Sequence, residues 1–333
     1  MTRLEHKLGI HGSPTAALAF EGAEAYRIGK KGDGFKAMLT LMNNARLGVA
    51  AQGIGISEAA LDEALRYTAQ RVQFDAPIGE QPLVKNMLSE MILDLEAGRA
   101  LLYRCCALVD RNEAIDARLS RESVPEAEAA ELQAIRERNS TRIRLLTPLA
   151  KYMATEACDR ITRSAVQLHG GIGFMAESVV GRLHADGIIT TIYEGTSEIQ
   201  VSFALKEMSK GALLVVFDEL HKELDSMSGE PLGPFADQVR LGIEQIVEAS
   251  SALLQDFGYA LLSARRLADS VIDVIAASEL LRQAQVDPRR FDLAASWVNR
   301  KMLEVEMNTR RIAEGNVSRV DRCERIIAAY DAS

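Results

Sequence analysis

Residues 192–200 read Ile-Tyr-Glu-Gly-Thr-Ser-Glu-Ile-Gln and set one carboxylate, Glu194, between an aromatic residue and a glycine. Ile192 and Tyr193 supply apolar cover that would shield this carboxylate from water. The carboxylate becomes a stronger base toward a carbon-bound proton once a substrate seals the site. Gly195 lets a ligand approach the backbone. The same peptide also suits a helix N-terminus, with Thr196 as N-cap and Glu198 and Gln200 in the first turns. Metal chemistry has no comparable signal. His169 and His184 share no ligand spacing with each other or with a carboxylate pair, and Cys105, Cys106, Cys158 and Cys323 form no CxxC pattern.

The elements that must position Glu194 are mostly helical. Of 333 residues, 47% are apolar and only 5% aromatic, enough for about two domains with sizeable cores and biased toward helix. Residues 4–31 suit strands, with Ala17–Phe20 and Ala23–Ile28 flanking a turn at Glu21-Gly22, before a turn cluster at 30–34. From Phe35 the pattern is helical through Met38, Met42, Ala45, Val49 and Ala50, with Gly53 and Gly55 marking close helix packing. Pro77 and Pro82 bracket a break. A second helix follows from about Leu83 to Asp110, a third from about Arg144 to His169, and a fourth from Thr196 to about Leu214. Residues 110–142 are rich in Asp, Glu and Arg and read as an exposed insertion, either two short charged helices or a loose loop. After a linker at 228–233, three more helices are expected at 234–258, 259–284 and 290–330. The paired cations Arg289-Arg290, Arg300-Lys301 and Arg310-Arg311 alternate with Asp292, Glu304 and Glu306, which suits a solvated face. The net charge of −8 argues against a nucleic-acid or anionic-membrane surface. There is no apolar run long enough to span a bilayer and no signal-peptide pattern, so a cytoplasmic protein is expected.

Four motifs in register resemble the acyl-CoA dehydrogenase family over residues 5–210. Besides the Glu194 peptide, Arg71-Val-Gln73-Phe74-Asp75-Ala-Pro77-Ile78-Gly79 is similar to its Arg-x-x-Phe-Gly-x-Pro-Ile segment, with Asp75 in place of the usual glycine. Gln167-Leu-His-Gly170-Gly171-Ile-Gly173-Phe174 resembles its Gln-x-x-Gly-Gly-x-Gly-Tyr/Phe loop, and residues 7–20 its last β-domain strands. Arg46 precedes Arg71 as the family's substrate-side arginine does.

The resemblance implies FAD-dependent α,β-desaturation of an acyl-CoA thioester to the 2-enoyl-CoA, with Glu194 as the α-proton base. Arg71, Gln73, Phe74, Gln167, Gly170, Gly171, Thr196 and Glu198 would contact the FAD, and Arg46 and Gly195 the substrate. Glu198 stands where some members carry Gln and cannot donate a hydrogen bond. Taken alone, Arg71 also reads as a solvated helix-end charge, Arg46 as a salt-bridged helix arginine, and Gly170-Gly171 as a helix C-cap.

Implied partners are an acyl-CoA, electron-transferring flavoprotein, and either a homo-oligomer (dimer or tetramer) or a complementing N-terminal chain. The fold expected is mainly α. Residues 1–32 would be a β-hairpin remnant of the central β-domain, 33–227 the C-terminal four-helix bundle with its insertion at 110–142, and 228–333 an extra helical domain. The family's N-terminal helical domain and earlier strands are not in this sequence, so the chain reads as the C-terminal part of such an enzyme. A non-catalytic helical subunit or remnant is the alternative.

Overall fold

The computed structural model describes residues 2–120 and 124–331, apart from the side chains at 39, 40, 43 and 44. The fold is mainly α. The helices are α1 (Gly34–Gln70), α2 (Pro82–Ser120), α3 (Glu126–His169), α4 (Val179–Ile188), α5 (Ser197–Ser209), α6 (Ala212–Asp225), α7 (Gly233–Ser250), α8 (Phe257–Val286), α9 (Phe291–Ala313) and α10 (Ser318–Asp331). Two antiparallel ladders accompany them, β1 (Arg3–Leu4) with β2 (Ala16–Ala17), and β3 (Val72–Gln73) with β4 (Ala76–Pro77). The chain divides into one unit of Met1–Leu95 with Ala154–Thr196 and another of Glu96–Met153 with Ser197–Ser333.

In the first unit, α1 buries Val49, Ala50, Ile54, Leu61 and Ala64. Each large aliphatic side chain so buried contributes roughly 1.5–3 kcal/mol. A Cβ on Gly53 would stand 3.1 Å from the carbonyl oxygen of Ala154, so the glycine sets how closely α1 approaches α3. Gly55 faces open space and plays no such part. The helix α4, which the sequence pattern did not reveal, lies against α3 through Gly187, where a Cβ would come within 3.1 Å of Cys158 Sγ.

The N-terminal segment departs from expectation. Arg3–Leu4 pairs with Ala16–Ala17, whereas Ala23–Ile28 forms no strand and no hairpin turns at Glu21-Gly22. Phe20, Tyr26 and Ile28 are 81%, 95% and 97% exposed. A strand with no apolar partner gains little from pairing, and an isolated ribbon is marginal. What fixes this segment instead is Gly9, whose Cβ would fall 2.4 Å from the Ala185 carbonyl oxygen, and the Ile10 N–H donating to the Asp186 carboxylate.

In the second unit, the charged stretch 110–142 is neither a pair of short helices nor a loop. It is the ends of the long helices α2 and α3, with residues 121–123 outside the described residues. Polar side chains join the two ends. Asn139 donates to Asn112 Oδ1 at 3.1 Å, Asn112 donates to Ser140 Oγ at 3.1 Å, and Arg118 pairs with Glu128 at 3.2 Å. Sequence periodicity fails here because the joint is hydrophilic.

The helix expected to run to Leu214 breaks at Gly211 (φ 88°), giving α5 and α6, and the one expected over 290–330 breaks near Gly315 (φ 58°). Asp256 caps α8 by accepting the Tyr259 N–H at 2.7 Å. Every residue of α8 from Ser270 to Leu281 is buried, the mark of a helix enclosed on all sides. Trp297 of α9 donates Nε1–H to the Asp273 carbonyl at 3.2 Å, and Arg104 of α2 is held by Glu223 at 2.8 Å and by Glu279. Of the paired cations in this unit, Arg289, Lys301 and Arg310 each meet an acidic neighbour, in Asp287, Glu304 and Glu306.

Candidate active site

Glu194 sits just past a 3₁₀ turn, Ile189–Thr191, that continues from α4. The turn is tied by Thr190 Oγ1 donating to the Gly187 carbonyl at 2.7 Å and by the Tyr193 N–H donating to Ile189 at 3.1 Å. Glu194 itself has φ 55° and Gly195 φ 95°. A glutamate in the left-handed region is strained by about 1–2 kcal/mol, and such strain persists where the surroundings fix it, often at a functional position. Glycine at 195 adopts its own value freely, so the pair turns the chain sharply and aims a half-buried Glu194 inward. The Tyr193 hydroxyl donates to Gln52 Oε1 on α1, anchoring the turn to the long helix.

Arg46 of α1 is only 6% exposed. Burial pushes its guanidinium below the ordinary arginine value, and the Glu194 carboxylate opposes that shift. The structure therefore brings Arg46 and Glu194 within electrostatic reach of one another.

The other candidates of this unit lie at the surface. The β3–β4 hairpin turns through Phe74 (φ 55°) and Asp75 (φ 62°), both left-handed as a two-residue hairpin turn demands. Asparagine, aspartate and glycine are the residues that tolerate this, which is why Asp75 can replace a glycine. Phe74 pays in strain and stands 81% exposed, beside exposed Arg71 and Gln73. Gln167 is exposed near the end of α3, and Gly170 (φ 59°) stops that helix in the left-handed conformation. A Cβ on Gly171 would meet no atom within 4 Å, whereas one on Gly173 would lie 2.6 Å from the Val166 carbonyl oxygen.

Tyr67, four residues before Arg71, stacks on His169 with ring centroids 4.2 Å apart and planes at 25°. His169 Nδ1 bonds to the Ala165 carbonyl at 2.7 Å, which makes that nitrogen the donor. This stack draws the Arg71–Phe74 hairpin and the Gln167–Gly171 loop together. Neither Tyr67 nor Gln52 stands out in the sequence, because a tyrosine and a glutamine on a long helix carry no spacing signal.

Thr196 is exposed at the end of the first unit. Glu198, in the second unit, lies on the surface and meets Arg265 Nη1 at 3.4 Å. Thiol chemistry finds no support at Cys158, whose burial pushes it up to about 11. Among the described residues no group of three or more His, Cys, Asp or Glu could hold a metal ion, and no helix is long and apolar enough to cross a membrane.

The first unit thus sets a half-buried glutamate near a buried arginine and, at its surface, carries glycine- and arginine-bearing loops. The chain belongs to the acyl-CoA dehydrogenase family: residues 32–209 match the family's "Acyl-CoA dehydrogenase, C-terminal domain". An acyl-CoA dehydrogenase of Bacillus subtilis is 37% identical over 199 residues, covering 59% of this chain and 45% of that protein. The chain thus spans under half the length of that relative. Among solved structures, Caenorhabditis elegans ACDH-11 in complex with C11-CoA superposes with a TM-score of 0.77 at 23% identity, over 98% of this chain and 54% of that one. The Bacillus anthracis acyl-CoA dehydrogenase complexed with FAD gives 0.74 at 24% identity, over 92% and 54%. These two likenesses show the fold.

Proposed function

We propose that this chain supplies the catalytic base and part of the cofactor site for FAD-dependent α,β-dehydrogenation of an acyl-CoA thioester to the 2-enoyl-CoA. The observation that carries the reading is Glu194, held on a left-handed turn and facing buried Arg46 inside a domain of this family. Glu194 removes the α-proton through its carboxylate. Arg46 steadies that carboxylate and lines the substrate side with Gly195, whose lack of a side chain leaves room for the thioester.

The residues present fit FAD. Gly171 offers backbone with open space where a Cβ would stand, Phe74 offers an exposed ring face, and Arg71 an exposed planar fork for a diphosphate. Gln73, Gln167, Gly170, Thr196 and Glu198 complete the proposed contacts, with Glu198 able only to accept. Bound there, FAD would supply the acceptor for the β-hydride and its two electrons. Family membership supports two further parts of this proposal: electron-transferring flavoprotein as reoxidant, and a homo-oligomer that brings the hairpin of one copy to another copy's flavin. The proposed domains remain 1–32, 33–227 and 228–333, the second of which contains most of the family match. The four cysteines are free, which suits a reducing compartment such as the cytoplasm.

Replacing Glu194 with Gln tests the reading. The variant should lose dehydrogenation of acyl-CoA by several orders of magnitude while FAD binding stays nearly unchanged. Full activity in Glu194→Gln would remove Glu194 from the mechanism.

A further inference from the structure

The second unit contains a cavity of about 310 Å³ between the ends of α2 and α3 and the side of α6. Three arginines line it, Arg111, Arg138 and Arg142, together with Asn139 and the single carboxylate of Glu219. Arg142 is only 6% exposed, and its Nε is buried without a hydrogen-bond partner. A guanidinium carries five N–H donors, and burying a charge without a partner is among the most unfavourable arrangements a protein can hold. Neighbouring Arg104 makes this worse, because its own carboxylates, Glu223 and Glu279, are already engaged with it. Burial is the largest influence on Arg142 and lowers its pKa, Arg104 and Arg111 lower it further, and Glu219 and Glu223 raise it. Neither Arg111 nor Arg138 has a salt bridge among the described residues, and both are exposed.

From this arrangement we infer that the cavity is a binding site for a phosphate group. The lining holds three guanidiniums and one carboxylate, a positive excess of the sign a phosphate needs. Guanidinium forks bind phosphate oxygens through paired, charge-assisted hydrogen bonds. The volume equals that of roughly ten liquid waters, enough for a phosphate with its hydration but small for a whole nucleotide. Glu219 narrows the chemistry further. It accepts a hydrogen bond from the hydroxyl that inorganic phosphate keeps and repels the dianion of a phosphomonoester, which has none, so it favours the free anion. Both inorganic phosphate and the head of a small phosphomonoester offer the oxygens that the guanidiniums bind. The site is separate from Glu194 and does not rest on the dehydrogenase reading.

The test is calorimetric titration of the full chain with inorganic phosphate and, in parallel, with glycerol 3-phosphate. Sodium chloride at matched ionic strength serves as the blank, and thermal melts are run alongside. Arg142→Met and the surface double substitution Arg111→Ala with Arg138→Ala should each weaken phosphate binding by about tenfold or more, the loss of at least one charge-assisted hydrogen bond. Glu219→Gln should tighten binding of glycerol 3-phosphate. Binding of both ligands would identify the phosphate group itself as what is recognised, and binding of inorganic phosphate alone would identify the free anion. Phosphate also stabilises proteins by exclusion from their surface. The deciding quantity is therefore the difference between parent and variants, and the double substitution at exposed positions removes any doubt about folding. Equal response to phosphate in the parent, Arg142→Met and the double variant would overturn the inference.

Discussion

Three glycines in one five-residue loop should respond to alanine in three different ways. Gly173 has the least room, since a Cβ there would lie 2.6 Å from the Val166 carbonyl oxygen and 2.9 Å from His169 Cβ. The first of these is backbone of α3, so the loop itself must move, and overpacking of this kind costs about 1–3 kcal/mol. Gly170 has open space but φ 59°, so Gly170→Ala places an L-residue in the left-handed region at about 1–2 kcal/mol. Part of that is offset because alanine reduces the freedom of the unfolded chain by about 0.4–1 kcal/mol, leaving a net loss near 1 kcal/mol. Gly171 has neither constraint, so Gly171→Ala should leave stability unchanged or raise it by up to about 1 kcal/mol. Urea unfolding followed by circular dichroism measures all three. The proposed cofactor role adds a second readout, since Gly171→Ala should weaken FAD binding although the fold is untouched. If Gly171→Ala destabilises as much as Gly173→Ala, the steric reasoning for this loop is wrong.

Other outcomes follow from single contacts. Arg104→Met should destabilise the second unit by about 3 kcal/mol, the low end for breaking a buried ion cluster, because Glu279 keeps Arg282 at 2.8 Å. A loss below about 0.5 kcal/mol in denaturant titration would mean that the cluster is not load-carrying. Asp75→Gly should stabilise by about 0.5 kcal/mol by relieving φ 62° at the hairpin turn, and a clear loss would contradict that reading of the turn. Burial pushes the Glu207 carboxyl up, but hydrogen bonds from Lys210 at 2.6 Å and Arg144 at 3.1 Å outweigh it and hold the group below its usual range. A depressed folded-state value means that Glu207 contributes stability above the ordinary glutamate value, about 4.3, and loses it as pH falls through the lower one. Glu207→Gln should therefore flatten the acid limb of a pH–stability curve, and an unaltered limb would show the contacts to be inert.

What the sequence makes legible depends on the kind of signal. The apolar face of α1 and the glycine that fits α1 to α3 follow from periodicity, because burial and close approach restrict residue type directly. The continuation of α2 and α3 through residues 110–142 does not, since asparagine, serine and ion pairs join those ends and leave no apolar stripe. The strand pattern at residues 17–28 misleads for the converse reason: alternation describes a face, and Phe20 and Tyr26 have nothing within this structure to bury against. At the site, Glu194, Arg71 and the Gly170-Gly171 loop announce themselves through motifs. Tyr67, whose ring joins the hairpin to that loop by stacking on His169, becomes visible only when the ends of α1 and α3 are seen together.

The measurement that bears most directly on the central claim is anaerobic reduction by acyl-CoA of the FAD-loaded protein reconstituted with a complementing N-terminal chain, followed in the visible flavin band, for the parent and for Glu194→Gln. The account predicts a flavin band in both proteins and bleaching by acyl-CoA in the parent alone. Bleaching of Glu194→Gln at the parental rate would contradict it.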